Sequence, residues 1–407
     1  MLRYLFVDFN AYFASVEQQL HPELRDKPVG IVAVMTDRTC LITASYQARR
    51  YGLKTGTPVR EARKRCPELI LVEAHPAVYV EMHHRLLEII EGCIPITQVC
   101  SIDEVLCELH GREQEPARAI AIAKKIKDAI RREVGQYITC SIGIAPNPFL
   151  AKTASDLEKP DGLTILTEQD IPDRLLHLQL QDLCGIGPRM AMRLYHAGIR
   201  TVAELYRATR HQLRNIWGSI EGERFYEHLR GNCTDRTPTK RSSVGHSHVL
   251  EPAMRTEERA FAVLHRLMQK ATARMRRYGV LARRITVECT FLPTLEWSAE
   301  MRIPPTNDPF MLGAVLRSLW EQRPRHRMPF HVRIRFTELT QAHLQLELPL
   351  FASYPQRHRL LAAIDAIILR HGPGAVYIAT AHPARSSAPM RIAFNAIPDP
   401  SIEDDSQ

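Results

Sequence analysis

Two short apolar runs, far apart in the chain, each end on carboxylates. RYLFVDF (3–9) strings Tyr, Leu, Phe and Val together and stops at Asp8, and SIDEV (101–105) sets the adjacent pair Asp103 and Glu104 between Ile102 and Val105. A brief apolar run without helical spacing reads as a buried strand, so both sites place acids at the edge of a core sheet. Neighbouring carboxylates beside a core repel one another and lose hydration unless a cation neutralises them. Hard divalent ions such as Mg²⁺ take oxygen ligands, commonly one or two carboxylates plus substrate phosphates. Two such ions about 3.5–4 Å apart can activate an attacking hydroxyl and stabilise a departing pyrophosphate. Taken alone, Asp8 reads first as a helix cap, and a turn of solvated charges is the lesser reading of SIDEV; having both sites favours a metal centre.

At 407 residues the chain is long for one domain, which points to several. Lys and Arg number 54 against 45 Asp and Glu, and the resulting net charge of +9 suits a polyanionic partner. Nine scattered cysteines form no CxxC pair, which argues against a zinc ribbon or disulfide framework and for a reducing compartment. Asp8 interrupts the N-terminal apolar run, so no signal peptide is expected, and no apolar stretch is long enough for a membrane span. A cytoplasmic protein is expected.

Asn10 is placed to cap a helix with Phe13, Val16 and Leu20 on one side. A strand is expected over 29–34, a helix over 45–51, and an amphipathic helix over 78–93 with Met82, Leu86, Ile89 and Ile90 inward. A hairpin at 99–109 carries the acids at its tip, followed by a basic helix (118–133), a strand (137–144) and a helix after Asn147. Residues 166–230 read as helical with a break at GIGP (185–188), and 231–242 as a polar linker. Beyond it the order is strand (243–250), helix (256–278), two strands (284–291, 297–303), helix (308–322) and strand (330–337), a βαββαβ module. Asp308 followed by Pro309 is a helix start. One more helix is expected at 355–371, ahead of an acidic end.

VDFNAYFASVEQ (7–18) followed by SIDEV resembles the paired metal-binding motifs of the Y-family DNA polymerases. TASYQARRYGLKTG (43–56), CSIGIAPNPFLAKTASDLEKPDG (140–162) and LCGIGPRMAMRLYHAGIRTV (183–202) are similar to its fingers, palm and thumb motifs, in the same order. The resemblance implies an α/β multidomain right hand: palm (1–10 and 78–165), fingers (11–77), helical thumb with a helix-hairpin-helix (166–230), linker (231–242), βαββαβ little finger (243–338) and a tail (339–407). It implies template-directed, low-fidelity, lesion-bypassing DNA synthesis from deoxynucleoside triphosphates on primer–template DNA. Two Mg²⁺ ions would be held by Asp8, Asp103, Glu104 and the carbonyl of Phe9. All three acids are present, which separates this chain from inactive relatives that serve as scaffolds. A repair protein that binds DNA without chemistry is the other alternative.

Tyr46 and Arg49, three apart on one helix face, suit a polyphosphate, since Arg makes forked hydrogen bonds to phosphate oxygens; an ordinary exposed face is the alternative. By resemblance Thr43, Tyr46, Arg49 and Lys159 bind the incoming triphosphate. Phe13, otherwise a core aromatic, would pack under the sugar and exclude a 2′-hydroxyl, with Tyr12 beside it. Gly185 and Gly187 permit a tight turn that can aim N–H groups at a DNA phosphate. In FHVRIRFT (330–337), Val332, Ile334 and Phe336 alternate with His331, Arg333 and Arg335, giving a core face and a cationic face. With Arg283, Arg284, Lys240 and Arg241 nearby, that face is expected to hold DNA phosphates. QLELPLF (345–351) resembles the peptides that dock on the bacterial sliding clamp, through Gln345 and the apolar Leu346, Leu348, Leu350 and Phe351. A monomer is expected.

Overall fold

The computed structural model describes residues 1–234, 241–342, 353–372, 374–388 and 397. The chain separates into two compact units, one built on Met1–Arg236 and the other on Thr237–Arg391. Among the described residues no helix is long and apolar enough to cross a membrane.

The first unit is organised by the strand Tyr4–Phe9, which is the centre of a five-stranded sheet. It pairs antiparallel with Glu104–Glu108 on one side and Cys140–Ala145 on the other; Gln98–Ser101 and Leu163–Ile165 complete the edges. Buried on both faces, the central strand has no polar alternation, which is why it reads as a continuous apolar run. Helices Pro76–Glu91 and Pro116–Glu133 contribute Leu86, Ile90, Ile126 and Ile130 to the core with Leu5 and Val7. Phe6 and Leu106 face a second core, shared with the helix Pro148–Leu157 and with a bundle of short helices between Pro188 and His228. A three-stranded sheet, Leu41–Ala44, Val29–Val32 and Ile70–Glu73, encloses a smaller core.

Two local readings are corrected. Asn10 does not cap the following helix, Tyr12–Leu20: Ala11 takes the cap position at φ 46°, in the left-handed region. The Asn10 side chain instead donates to Ser141 Oγ (3.1 Å) and accepts from Thr139 Oγ1 (3.1 Å) and the Asp161 amide (2.8 Å). A buried amide with several partners within reach satisfies more of its hydrogen-bonding capacity there than at a helix end. Leu20, at the last position of that helix, is 46% exposed rather than inward.

The second unit contains the βαββαβ order. Its four-stranded antiparallel sheet runs Leu295–Thr306, Val280–Leu292, Met328–Thr337, Ser243–Val249. Helices Glu257–Arg277 and Pro309–Glu321 cover one face, where Val332, Ile334 and Phe336 are fully buried. Asp308 accepts a hydrogen bond from the Phe310 amide (2.8 Å) and Pro309 opens the helix, as the sequence signal requires. A further helix spans Ser353–His371.

Candidate active site

Strand register brings the acids together. Asp8 stands directly opposite Glu104, and the Phe9 amide donates to the Asp103 carbonyl (2.9 Å), closing the hairpin tip onto the end of the central strand. Asp8 is 5% exposed. Burial, together with repulsion from Asp8 and Glu104, raises the Asp103 pKa, although the Ser101 hydroxyl, 2.6 Å from Asp103 Oδ1, partly offsets this. The three carboxylates and Phe9 line a cavity of about 230 Å³.

The same cavity receives Tyr12, Phe13, Thr43, Tyr46, Arg49 and Lys159, so every nucleotide-handling residue expected from sequence reaches it. Ser45 caps the short helix Tyr46–Arg49 by accepting from the Ala48 amide. Arg49 Nε donates to the Ala44 carbonyl (3.1 Å), which orients its guanidinium. The Arg49 guanidinium lies 4.6 Å from the Tyr46 ring centroid, and burial raises the Tyr46 pKa. Tyr46 Oη is buried and makes no hydrogen bond of ordinary geometry, with the Asn10 side chain close by. A buried hydroxyl left unsatisfied is costly, and an acceptor such as a phosphate oxygen would satisfy it. Phe13 stacks on Tyr79 (centroids 4.5 Å apart, planes at 13°), and the Tyr12 hydroxyl donates to the Tyr79 carbonyl (2.7 Å). Phe13 is therefore held against a rigid aromatic partner at the cavity wall.

Sequence reasoning missed Lys152. Its Nζ donates to Asp8 Oδ2 and lies 2.9 Å from Glu104 Oε1 and 3.2 Å from Asp156 Oδ1. Lys159 Nζ is 2.7 Å from Asp8 Oδ2 and 2.8 Å from Asp156 Oδ1. Lys152 and Asp156 stand i, i+4 on the helix Pro148–Leu157, and that spacing was the available signal, whereas Lys159 lies just beyond the helix end. Burial opposes the charge of Lys152, but Asp8, Asp156 and Glu104 outweigh it and hold its pKa above the ordinary value.

Among the described residues no group of three or more His, Cys, Asp or Glu stands in ligand geometry. Asp8 and Glu104 instead converge on the Lys152 ammonium, and Asp103 bonds the Ser101 hydroxyl. The donor set still fits a hard divalent cation: carboxylate oxygens converge where an ammonium already stands in for positive charge. Asp8, Asp103, Glu104 and the Phe9 carbonyl are the oxygens such an ion would use.

The expected DNA-contacting residues are more mixed. Gly185 has φ +89°, a conformation that favours glycine, and Gly187 precedes the helix Pro188–His196 in an extended conformation. On the second unit, Arg333 and Arg335 both pair with Glu288 (3.0 and 2.7 Å) from the adjacent strand. Arg284 pairs with Glu338 (2.8 Å) and with Glu300. Arg283 is exposed at a register shift in its strand. The sheet face expected to be cationic is thus an alternating lattice of both charges, because a single strand's sequence does not reveal what its neighbours place beside it. Lys240 and the clamp-like peptide with Gln345, Leu346, Leu348, Leu350 and Phe351 lie outside the described residues.

Residues 7–156 match the impB/mucB/samB family, 241–348 its C-terminal domain, and 178–218 a SAM-like helix-hairpin-helix tandem. The chain is 32% identical over 384 residues to DNA polymerase IV of Moorella thermoacetica, covering 92% of this chain and 94% of that one. It is 33% identical over 305 residues to DNA polymerase IV 1 of Bacillus subtilis, covering 73% of each. Among solved structures, a Y-family DNA polymerase chimera of Dbh and Dpo4 matches with a TM-score of 0.70 at 24% identity, over 84% of this chain and all of that one, a likeness of fold. A ternary complex of Dbh matches with a TM-score of 0.57 at 25% identity, over 83% of this chain and 99% of that one. With relatives of this identity aligned along nearly its whole length, the chain belongs to the Y family of DNA polymerases, alongside the bacterial polymerases IV.

Proposed function

We propose that this protein is a template-directed DNA polymerase that adds deoxynucleotides to a primer 3′ end with low fidelity and bypasses lesions. The observation that carries the reading is one cavity joining Asp8, Asp103 and Glu104 to Tyr46, Arg49 and Lys159. Acids for metal ions and donors for a triphosphate are what nucleotidyl transfer needs in one place. Relatives named as DNA polymerase IV support the same activity.

In this reading residues 1–10 and 78–165 form the palm, 11–77 the fingers, 166–230 the thumb and 243–338 the little finger. Asp8, Asp103, Glu104 and the Phe9 carbonyl would hold two Mg²⁺ ions, which would supply Lewis-acid activation of the primer hydroxyl and charge neutralisation at the departing pyrophosphate. Tyr46 and Thr43 donate hydroxyl hydrogen bonds to the triphosphate, and Arg49 and Lys159 add charge-assisted ones. Phe13, backed by Tyr79, blocks the space a 2′-hydroxyl would occupy, with Tyr12 completing the wall. The turn at Gly185 and Gly187 and the guanidinium groups of Arg283, Arg284, Arg333 and Arg335 hold the DNA backbone without reading bases. The protein works in the cytoplasm as a monomer, tethered by residues 345–351 to a sliding clamp.

The test is extension of a labelled primer with four deoxynucleotides and Mg²⁺, beside the Asp103→Ala, Glu104→Ala double variant. Extension by the wild type alone is expected. Binding of primer–template by both proteins without extension by either would replace the polymerase with a DNA-binding scaffold.

A further inference from the structure

Lys152 holds no part in the scheme above, yet it makes more contacts with the acids than any other side chain there. Its Nζ reaches Asp8 and Glu104, both assigned as metal ligands, and Asp156, which is not. Lys159 reaches only one of those ligands, Asp8. The Lys152 side chain is 16% exposed, and its ammonium lies 5.4 Å from the Phe6 ring centroid. Lysine is seldom buried to this degree unless paired.

Backbone geometry puts it there. Asn147 caps the helix Pro148–Leu157 by accepting from the Leu150 amide (2.8 Å). Gly143 lets that helix lie directly on the strand Cys140–Ala145. Lys152 then projects over the end of the neighbouring Tyr4–Phe9 strand, where Asp8 and Glu104 are cross-strand partners. Like charges directly opposite on adjacent strands are destabilising, and an ammonium between them relieves that repulsion. An ammonium seated on Asp8 Oδ2 and Glu104 Oε1 repels a divalent cation bound to the same two carboxylates and competes with it for those oxygens.

Asp156 supplies the alternative. It stands one helical turn after Lys152, with its side chain 35% exposed. Lys152 can withdraw onto it without losing all ion pairing.

We propose that Lys152 is a positioning residue, the built-in counter-ion of the carboxylate cluster: it holds Asp8 and Glu104 before metal arrives, competes with the metal, and moves onto Asp156 when a divalent cation takes those oxygens. The inference rests on the reading of Asp8, Asp103 and Glu104 as ligands.

Mn²⁺ titration of the full-length protein without DNA or nucleotide, followed by electron paramagnetic resonance, tests it directly. Competition lowers apparent affinity by the fraction of molecules in the competent state. Lys152→Met is therefore expected to bind Mn²⁺ about tenfold more tightly than wild type, and its metal-free form to melt at a lower temperature. Asp156→Asn, which removes the withdrawal point, is expected to weaken Mn²⁺ binding severalfold when Lys152 is present and to have a clearly smaller effect in the Lys152→Met background, where only Lys159, also paired with Asp156, is left to shift towards Asp8. That coupling separates a counter-ion from a simple change in local charge. Unchanged or weaker binding in Lys152→Met, or an equal effect of Asp156→Asn in both backgrounds, overturns the proposal while leaving the ligands in place. Wild-type binding that survives in the Asp103→Ala, Glu104→Ala protein overturns the ligand reading, and the counter-ion with it.

Discussion

Gly143→Ala probes the packing that positions both lysines. A Cβ at this position would lie 2.0 Å from the Ala151 carbonyl oxygen and 2.4 Å from the Ser155 amide nitrogen. These are backbone atoms of the helix Pro148–Leu157, so no side chain can rotate away to make room. Ordinary contact begins near 3.4 Å, and the helix has to withdraw by about 1 Å or more to reach it. Overpacking of this kind costs about 1–3 kcal/mol, which lowers Tm by about 2–4 °C per kcal/mol in a unit of this size. The protein stays folded, but the helix with Lys152 and Asp156 shifts relative to the acids, and the loop with Lys159, the lysine assigned to the triphosphate, moves with it. A misplacement of 1 Å at a reacting centre can cost about 10²-fold in rate. Single-turnover insertion of one deoxynucleotide, with thermal melting of the same preparation, reads both quantities. Insertion within twofold of wild type in a folded Gly143→Ala protein would refute the idea that this close approach sets the site.

Three further outcomes are expected. Phe13→Ala removes the ring stacked on Tyr79; discrimination against ribonucleotides in kcat/KM should fall about 10²-fold and stability by about 3–5 kcal/mol, and unchanged sugar selectivity would remove Phe13 from its role. His265 is 5% exposed, and burial, with Arg317 nearby, lowers its pKa to about 4. Between the ordinary value of 6.5 and about 4 the unfolded chain binds more protons than the folded one. Its contribution is thus complete above pH 6.5 and lost as pH falls towards 4, at about 1.4 kcal/mol per pH unit, so urea midpoints of His265→Gln should fall less steeply with acidification than those of wild type. Glu288→Gln releases Arg333 and Arg335 from their ion pairs; primer–template binding should tighten and its log–log salt slope steepen by about one to two, whereas an unchanged slope would place both arginines off the DNA path.

Much of this architecture was legible in local signals. The run before Asp8 is apolar at every position because its strand is covered on both faces, and the alternation in 330–337 follows from a sheet covered on one. Asp308 with Pro309 marks a helix start through chemistry confined to a few residues. The acids at 8, 103 and 104 stood out because carboxylates beside apolar runs conflict with their surroundings, and such conflict is visible without knowing the partner. Tyr46, Arg49 and Lys159 stood out through resemblance rather than through pattern.

What the tertiary structure alone decided concerns partners from distant segments. That Asp8 faces Glu104 is a matter of strand register, which shifts every side chain to the other face if it slips by one residue. Asn10 looked like a helix cap because its nearest neighbours in sequence are helical; its bonds go to Ser141, Thr139 and Asp161, from a neighbouring strand and a loop. Arg333 and Arg335 looked cationic until the adjacent strand placed Glu288 between them. Lys152 was one lysine on an amphipathic helix until Gly143 let that helix settle onto the sheet. Local sequence encodes which face of an element is buried, since burial is repeated along the element and leaves a period. The identity of a charge's partner leaves no period, because it depends on packing between elements that the chain brings together only when folded.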